Sequence, residues 1–582
     1  MLSRTYIILQ IRCQIYQPSV VEPRQQVSKS GCIKFPKFVH PNFEELINHI
    51  QPVICHHYLP FTETGFCSPI IADFLTGRAP LRSFYEYIQV NPDFDKAMHA
   101  KSMQPLRRDI LAEALYKQYQ GVEIREEVRA NIGLLQATNT FTICTAHQPN
   151  IFTGYLYFVY KILQTIKLSR DLAIKYPKNH FVPVYYMGSE DADLDELGSI
   201  QLGGKTLTWD TDQKGAVGRM NTTGLAEMIK QIADSIGFEP HGPNLVAMLE
   251  KAYLGHKTIQ EATLSLVNDL FGCYGLVVLI PDNPAFKQQL IPVMEQELWE
   301  QSSASIVGKT IEKLAEHYKV QATPREINLF YLIEDKRERI VKDGEVWKIL
   351  HTSLSFTGEE LKQELYTHPE RFSPNVILRG ILQETILPNI AFIGGGGEVA
   401  YWLELKALFQ HHKVPYPVIL LRNSFLWIKK DLHDRQRKLG ISTEGLFEDT
   451  ELLVNKFVHE HTNAALVLRE EYAAVEKLFN ELEEKAKTID VTLIATVNGE
   501  RTRALKSIGK LEHKFLRAEK KKFAWQTEQI RQLKERLFPG NSLQERKENF
   551  MPYYAQYGPG WFDMVLKALK PVTDQFGVIS EE

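Results

Sequence analysis

The sequence carries no surplus of positive charge and no long apolar run. Its 582 residues include 68 Lys and Arg against 71 Asp and Glu, whereas a protein that binds nucleic acid nonspecifically usually has a basic excess. No apolar stretch approaches the roughly 20 residues needed to cross a bilayer. We therefore expect a globular protein that binds neither nucleic acid nor a membrane.

Cysteine is scarce, and none of the six cysteines lies in a CxxC pair. In a chain of this size, that spacing predicts the reduced thiols of a cytoplasmic protein rather than a disulfide framework. Cys55, His56 and His57 are adjacent, so on one strand they cannot all face one ion. We predict no metal site there.

Several catalytic motifs are also missing. The chain has no HExxH motif, no G-x-S-x-G elbow and no Lys-Ser or Lys-Thr after its glycine run. Zinc proteases, serine hydrolases and Walker-type NTPases are therefore not supported. The chain length and a hydrophobic content of 44% indicate two or three globular domains.

The alternation of segments predicts an α/β core. A β-branched run ending near Ala146 precedes a loop, a helix from Tyr155 to about Lys175 and a second strand over 181–187. This order is typical of a βαβ unit with parallel strands. A second unit runs from ILPNIAFI through a glycine run to the strand over 416–421. We therefore predict a doubly wound α/β sheet.

Less regular segments surround this core. Residues 1–55 show no clear period and are interpreted as an extension outside the fold, whereas residues 56–450 hold a helical lead-in and the core. Within the core, an insertion is expected at 284–372. It contains Lys342-Asp343-Gly344, a pattern typical of a hairpin turn.

Beyond residue 451 the sequence predicts a helical hairpin. Apolar residues recur at alternating spacings of four and three from Leu468 to Ile489, which is typical of a heptad seam. A second helix is expected from about Arg501 to Leu537, after a turn at 498–500. Residues 451–540 then form an antiparallel coiled coil, either packed on the core or protruding as an arm that makes a dimer. Residues 541–582 are predicted to dock on the core.

Four polar segments follow predicted strands, at the edge where an open parallel sheet binds ligands. The first is HQPNIFTG, in which backbone N–H groups and the positive end of the next helix suit a phosphate or carboxylate. His147 and Asn150 could donate hydrogen bonds to the same anion. The alternative is a helix N-cap with an incidental histidine.

The second segment is GSEDADLDEL, where five acids fall within seven positions: Glu190, Asp191, Asp193, Asp195 and Glu196. Such density is costly unless it meets a cation, which would be a metal ion, a lysine or the ammonium group of an amine substrate. The alternative is a solvated acidic loop whose later acids supply charge to the start of a helical turn.

The third segment is the glycine run in FIGGGGEVAYWLEL. Gly395-x-Gly397-x-x-Ala400 matches a dinucleotide fingerprint between strand and helix. Such a fingerprint expects an acid about 20 residues on, to hold a ribose. Because Arg422 stands at the end of the next strand instead, NAD binding is disfavoured.

The same segment suggests a pocket for a polar substrate. Glu398 would oppose a phosphate at the helix start and would favour an amine. We therefore predict a pocket wall formed by Glu398, Tyr401 and Trp402. The fourth segment is Arg422 with Asn423 and Ser424, and an arginine there suits a carboxylate or phosphate.

Five blocks of the sequence resemble the BshC family, the cysteine ligases of bacillithiol biosynthesis: TAHQPNIFTGYLYFVYKI, FVPVYYMGSEDADLDEL, PREINLFY, LRGILQETILPNIAFIGGGGEVAYWLELK and LQERKEN. The similarity runs from Phe61 to the C-terminus and omits the leading segment. It implies a Rossmann-like core, similar to nucleotidylyltransferases and class I aminoacyl-tRNA synthetases. It also implies inserted connecting segments and a C-terminal coiled coil that mediates homodimer formation.

The resemblance implies a ligase that joins the carboxyl group of L-cysteine to the amine of glucosaminyl-malate. Because amide formation from a free carboxylate is uphill in water, the acid must first become an adenylate or acyl phosphate, and ATP or ADP with Mg²⁺ would serve. Related synthetases carry H-x-G-H where this chain has His147 and Asn150, so the second histidine is missing. No KMSKS-like loop follows the last core strand. The activating nucleotide therefore stays open.

The resemblance also implies roles for individual residues. It assigns a catalytic role to four residues: His147, Asn150, Glu190 and Asp191. A nucleotide or activated carboxylate would meet Gln148, Asn150, Thr153 and Gly154, and an ammonium group or sugar hydroxyls would meet Glu190, Asp191 and Asp193. Arg422, helped by Arg379, would pair with the malate carboxylates. The remaining substrate-binding candidates are Gly395, Gly396, Gly397, Glu398, Trp402 and Asn423.

Two rival interpretations remain at this level. One is a nucleotidylyltransferase that acts on another small molecule. The other is a coiled-coil scaffold whose α/β core has decayed. The dense polar residues at the strand ends argue against decay, because a retired site has no use for buried charge.

Overall fold

A computed structural model describes residues 52–462 and 466–582. Of the predicted N-terminal extension over 1–55, residues 1–51 lie outside the described residues. Its end is wrong, because Ile54 and Cys55 belong to the first strand and pair with Glu581 and Ser580. The strands are β1 Ile54–Pro60, β2 Thr140–His147, β3 His180–Met187, β4 Ser199–Leu202, β5 Lys205–Thr208, β6 Val277–Leu279, β7 Leu329–Ile333, β8 Lys336–Asp343, β9 Val346–Ile349, β10 Ser355–Thr357, β11 Phe372–Pro374, β12 Asn389–Gly394, β13 Val418–Leu421, β14 Phe425–Ile428 and β15 Gln575–Glu581.

Helices occupy most of the remaining described chain. They are α1 Pro69–Leu75, α2 Phe94–Ser102, α3 Arg108–Gln118, α4 Glu126–Leu134, α5 Tyr157–Lys175, α6 Leu194–Leu197, α7 Leu225–Ile236, α8 Gly242–Gly255, α9 Ile259–Phe271, α10 Pro284–Glu300, α11 Ser302–Ala315, α12 Gly358–Thr367, α13 Val376–Ile386, α14 Gly396–His411, α15 Lys430–Lys438, α16 Thr450–His461, α17 Arg469–Ile489, α18 Leu493–Lys522, α19 Ala524–Leu537, α20 Met551–Tyr557 and α21 Gly560–Ala568.

Five parallel strands form the central sheet, in the order β13-β12-β2-β3-β6. Numbered by their sequence among these five, the strands lie in the order 5-4-1-2-3, which is the arrangement of a Rossmann fold. Along the chain, β3 and then β6 are added on one side of β2, and β12 and then β13 are added on its other side. The strand order therefore reverses between β2 and β12. The predicted doubly wound α/β core is confirmed.

Both faces of this sheet are covered, as a parallel sheet requires. Ile143 and Ile393 pack with Phe94 of α2 in one apolar cluster. Their chain neighbours Cys144 and Phe392 pack in another. Successive side chains of a strand point to opposite faces, which explains why β2 and β12 read as continuous apolar runs rather than alternating ones.

The predicted insertion is a separate antiparallel layer. Strands β7 to β11 form a sheet in the order β10-β9-β8-β7-β11, preceded by α10 and α11. The hairpin at Lys342-Asp343-Gly344 is confirmed: β8 and β9 pair antiparallel, and Gly344 adopts φ +62° in the turn between them. Glycine is suited to that turn because it has no Cβ to clash there.

The coiled-coil hairpin is present, but its turn lies elsewhere than predicted. Helices α17 and α18 pack on each other, with Arg501 of α18 2.9 Å from Glu483 of α17. The turn falls at 490–492, where the Asp490 carboxylate accepts the Thr492 N–H. The predicted turn at 498–500 is wrong, since these residues lie inside α18. A single glycine costs a helix only about 1 kcal/mol, so Asn498-Gly499 does not end it.

We call the hairpin of α17 and α18 the coiled-coil arm. The chain returns to the core after it. Strand β15 lies between β1 and β14, antiparallel to the first and parallel to the second. The last strand, β15, thereby joins β1 to β14, the strand that follows the central sheet along the chain. No helix among the described residues has the length and apolar character to span a bilayer.

Candidate functional site

A cavity of about 430 Å³ lies where the strand order reverses. Loops that follow four of the parallel strands contribute to its wall, as expected for a ligand site in an open α/β sheet. We call it the switch-point cavity. Its lining includes His147 and Gln148 after β2, Gly188 and Asp191 after β3, Gly395 to Glu398 after β12, and Arg422 after β13.

The lining of this cavity is rich in positive charge. It carries two carboxylates, Asp191 and Glu398, and five cations: Lys161, Arg337, Arg379, Arg422 and Arg546. Five minus two leaves a formal surplus of three positive charges, which Glu545, buried against Arg422, reduces to two. A cleft lined by one sign of charge concentrates ligands of the opposite sign, so this cavity suits an anion.

Asp191 is held between two arginines. Arg379 donates two hydrogen bonds to its carboxylate, one of 2.9 Å from Nη1, and Arg337 Nη1 lies 3.7 Å away. Burial alone would raise the pKa of Asp191, but the charge and hydrogen bonds of Arg379 outweigh burial and leave that pKa below its usual value. Asp191 is therefore a fixed anion at one end of the cavity.

Glu398 has two partners at the start of α14. Its Oε2 accepts the Gly395 N–H at 2.8 Å and lies 2.6 Å from Lys161 Nζ. This carboxylate caps the helix that follows the glycine run and places negative charge where a phosphate cradle would need an open positive terminus. The sequence-based preference for a polar-substrate wall over a phosphate cradle agrees with this placement.

His147 is neutral at physiological pH. Burial, followed by the charges of Lys161 and Arg422, lowers the pKa of His147 to about 3. Its Nδ1 lies 3.0 Å from the Gln148 carbonyl oxygen, so Nδ1 carries the proton and Nε2 keeps a lone pair. The ring stacks on Tyr157, with centroids 5.3 Å apart. It is placed as a hydrogen-bond acceptor rather than as a charged group.

The rest of HQPNIFTG is a strained, buried turn. Phe152, Thr153 and Gly154 all have positive φ, a conformation that non-glycine residues rarely adopt. The Phe152 N–H donates to the Tyr253 hydroxyl, and the N–H groups of Thr153 and Gly154 donate to carbonyls within the turn. These three donors are therefore occupied, and the turn does not present them to an anion.

Asn150 and Thr153 lie inside the protein. They are 2% and 3% exposed and do not line the switch-point cavity. Asn150 packs under Gly154, where an added Cβ would come within 2.8 Å of the Asn150 Cβ. Their predicted contacts with a nucleotide are not supported by these positions, because both side chains are buried and neither lines the cavity.

The acids of the loop GSEDADLDEL lie partly in the core and partly at the surface. Glu190 is buried in an ion pair with Lys287, which also donates to the Phe372 carbonyl oxygen at 2.7 Å. A lysine, one of the cations considered for this loop, meets Glu190. Asp191 meets an arginine, which was not among them. Asp193 is exposed and caps α6 by accepting the Glu196 N–H at 3.3 Å. Neither Glu190 nor Asp193 lines the cavity, so Asp191 is the one acid of this loop in the lining.

Two further predicted site residues belong to the core. Trp402 is 1% exposed and packs against Phe392, with ring centroids 4.7 Å apart. Tyr401, the next residue along α14, lines the cavity instead. Asn423 is buried, and its N–H donates to Gln164 Oε1 at 2.6 Å. Of the three residues predicted to form the pocket wall, Glu398 and Tyr401 line the cavity. The assignment of Trp402 is wrong, because the sequence did not define which face of α14 points outward.

Sequence reasoning missed several lining residues. The cavity is also lined by Tyr157, Lys161, Arg337 and Arg546. Three of them lie in blocks of the family resemblance, but none was predicted as a site residue. Lys161 is the fifth residue of α5, and Arg337 lies on β8 of the insertion. No local motif marks them, since each reaches the cavity only through the packing of a distant element.

The strand order defines a Rossmann-type α/β protein, with a cavity of surplus positive charge at the switch point of its sheet. The model of the BshC N-terminal Rossmann-like domain of bacillithiol biosynthesis matches residues 54–423, and the model of the BshC C-terminal coiled-coil domain matches residues 425–581. The chain belongs to the BshC family.

Relatives with curated names extend over nearly the whole chain. A protein of Flavobacterium johnsoniae is 38% identical over 90% of this chain and 99% of its own length, and one of Christiangramia forsetii is 38% identical over 90% and 98%. A more distant relative in Chlorobaculum tepidum is 27% identical over 84% and 91%. All three bear the name "Putative cysteine ligase BshC".

Proposed function

We propose that this protein forms an amide bond between the carboxyl group of L-cysteine and the amine of glucosaminyl-malate, giving bacillithiol. The observation that carries the proposal is the switch-point cavity, which combines a surplus of cations with two fixed carboxylates. Family membership supports the same reaction class, since the relatives are named as cysteine ligases.

The charges in the cavity suit both substrates. Malate contributes two carboxylates, for which the cationic lining is complementary, and each substrate carries an amine that Asp191 or Glu398 can receive as an ammonium group. His147, neutral and with a free Nε2, accepts a hydrogen bond without adding positive charge. The site thus separates the positions for anionic oxygen and for amine nitrogen.

The cysteine carboxylate requires activation before the amine can attack. ATP would supply it by transferring a phosphoryl or adenylyl group to that carboxylate. The amine nitrogen would then form the C–N bond as phosphate or AMP leaves, and the amine would lose one proton. The cations of the cavity would stabilise the charge that develops on the leaving oxygen. The three occupied N–H groups of the strained turn take no part in this step.

The buried charges argue against a decayed core. Lys287 with Glu190 and Arg422 with Glu545 are ion pairs in which at most 5% of any side chain is exposed. Desolvating such pairs costs several kcal/mol per ion. A chain that functioned only as a scaffold would have no need to keep them together beneath a cavity.

Mass spectrometry tests the reaction. The purified protein is incubated with ATP, L-cysteine and glucosaminyl-malate, and we expect a product whose mass is the sum of the two substrates less one water. A product that carries a nucleotidyl group instead would indicate a nucleotidylyltransferase. If the substrates remain unchanged while the protein stays folded and binds them, the ligase proposal fails.

The coiled-coil arm is proposed to join two copies of this chain. Large apolar side chains remain exposed on both of its helices, including Leu478 at 53% and Phe515 at 43%. Such exposed apolar side chains on a pair of helices are costly in a monomer. A second copy would cover both residues by packing its own helices on them.

A further inference from the structure

Four of the five cations that line the switch-point cavity already have acidic partners. Lys161 lies 2.6 Å from Glu398, and Arg422 lies 2.6 Å from Glu545. The remaining two, Arg337 and Arg379, both face Asp191. Their hydrogen-bonding capacity is largely spent inside the protein.

Arg546 differs from these four. Its side chain is exposed, lines the cavity, and makes no ion pair or side-chain hydrogen bond with any residue that the structure describes. A guanidinium carries five N–H donors in a fixed fork that matches carboxylate and phosphate oxygens. Arg546 is therefore the lining cation with donors left for a ligand.

Arg546 lies at the boundary between two cavities. A second cavity of about 430 Å³ lies beside the first, and Arg546 lines both, together with Gly396, Gly397 and Arg422. A ligand oxygen at this junction would meet Arg546 from either side. The junction lies next to the glycine run, where the backbone leaves room for a close approach.

The backbone that carries Arg546 is held on both sides. Gln544 accepts the Trp427 N–H at 2.9 Å, and Glu545 accepts from Ser424 and pairs with Arg422. Asn549 donates to the carbonyls of the strained turn. A free side chain on a fixed backbone reduces the ordering cost of binding.

We propose that Arg546 is a substrate-binding residue that holds an anionic oxygen group, carboxylate or phosphate, at the junction of the two cavities. This proposal rests on the proposed function for the identity of its ligand and deepens it. The group would be a carboxylate of glucosaminyl-malate or a phosphate of the activating nucleotide, and the shared chemistry is a bidentate contact with the guanidinium.

Calorimetric titration of Arg546→Gln distinguishes the two sources. Glucosaminyl-malate, L-malate, ATP and inorganic phosphate are titrated separately into wild type and variant. Loss of affinity for glucosaminyl-malate and L-malate identifies the carboxylate, and loss for ATP and phosphate identifies the phosphate. We expect a loss of about tenfold to a hundredfold for one pair of ligands, and a smaller loss for Arg546→Lys, which keeps the charge but not the fork.

Lys547→Gln is the matched control, because Lys547 is the exposed neighbour on the same segment and does not line either cavity. It should bind all four ligands as wild type does. Both variants should melt at the wild-type temperature, since Arg546 makes no contact that holds the fold. If Arg546→Gln binds all four ligands as tightly as wild type, the proposal is overturned.

The two proposals fail separately. If wild type yields no amide product but Arg546→Gln still loses affinity for L-malate or phosphate, the ligase reaction fails and the anion-binding role stands. If wild type makes the product and Arg546→Gln binds and turns over the substrates unchanged, the role of Arg546 fails and the reaction stands.

Discussion

Nη2 of Arg422 lies 2.6 Å from Oε1 of Glu545, and at most 5% of either side chain is exposed. Glu545 also accepts a hydrogen bond from the Ser424 hydroxyl at 3.0 Å. The pair connects the end of β13 to the segment that follows the coiled-coil arm. Because both charges are buried away from water, each is stabilised by the opposite charge of its partner instead of by solvent.

Glu545→Gln should lower the free energy of unfolding by about 3–5 kcal/mol, because it leaves the Arg422 charge buried without a counter-ion. Urea denaturation measures the change. Glu113→Gln, an exposed acid on α3, should change it by less than about 0.5 kcal/mol. Equal effects of the two substitutions would show that the pair does not stabilise the fold.

Arg422→Ala should be destabilising for the same reason. If Arg422 pairs with a malate carboxylate, as the family resemblance implies, the variant should also bind glucosaminyl-malate more weakly. This binding must be measured under conditions where the variant is folded. If the folded variant binds glucosaminyl-malate as tightly as wild type, Arg422 has no role in holding malate.

Asp191 should make stability depend on acid pH. The pKa of Asp191 lies below its ordinary value of 3.8 because Arg379 outweighs the effect of burial. A depressed folded-state pKa means that this contribution is complete above about pH 4 and is lost as the pH falls through the folded-state pKa. The difference in unfolding free energy between wild type and Asp191→Asn should thus shrink as the pH drops below about 4. A constant difference from pH 6 to 3 would contradict this.

Glu404 should produce the opposite slope near neutral pH. Burial raises the pKa of Glu404 to about 7, even though its carboxylate accepts the N–H groups of Gln321 and Ala322. The folded state therefore binds more protons than the unfolded state, and stability should fall as the pH rises from 4.5 to about 7. Denaturation at pH 5 and pH 8 should show this slope in wild type and in Glu113→Gln, but a reduced slope in Glu404→Gln.

His147 should not titrate between pH 5 and pH 8. Burial and the cations Lys161 and Arg422 lower its pKa to about 3. Its Cε1–H resonance, assigned by comparison with His147→Gln, should keep one chemical shift over that range. A midpoint near pH 6.5 would show a solvated imidazole, and would return His147 to consideration as a general base.

Charge on the exposed apolar residues of the coiled-coil helices should separate the proposed dimer. Leu478→Glu together with Phe515→Glu places two carboxylates where a second copy would pack apolar side chains, so sedimentation should show a monomer. Ile174→Glu, on α5 and 81% exposed in the structure, is the control and should leave the assembly unchanged. If the wild-type chain sediments as a monomer at micromolar concentration, the proposed dimer is contradicted.

Local sequence patterns were sufficient for the sheet. The strands at β2, β3 and β12 are apolar runs buried on both faces, and burial on both faces leaves a signal in the composition of each strand. The glycine run and Arg422 were placed at the right edge because each follows such a strand. The heptad spacing from Leu468 to Ile489 predicted the coiled coil separately, and the family resemblance implied it as well.

The same patterns did not determine which side chains face the cavity. Trp402 and Tyr401 are adjacent on α14, and one packs in the core while the other lines the cavity. The helix rotation that decides between them depends on packing against β12 and β13. The turn of the coiled coil was misplaced for a similar reason, because a glycine inside a long helix resembles a turn when read alone.

The sequence by itself determined the order of the elements, the doubly wound sheet and the polar segments at its carboxyl edge, because these follow from the local periodicity of apolar residues. Only the tertiary structure decided how the charges are paired. Lys161, Arg337 and Arg546 come from a helix, an inserted strand and the segment after the arm. They meet in one cavity because long-range packing brings them together, and no local pattern records which acid each cation will face.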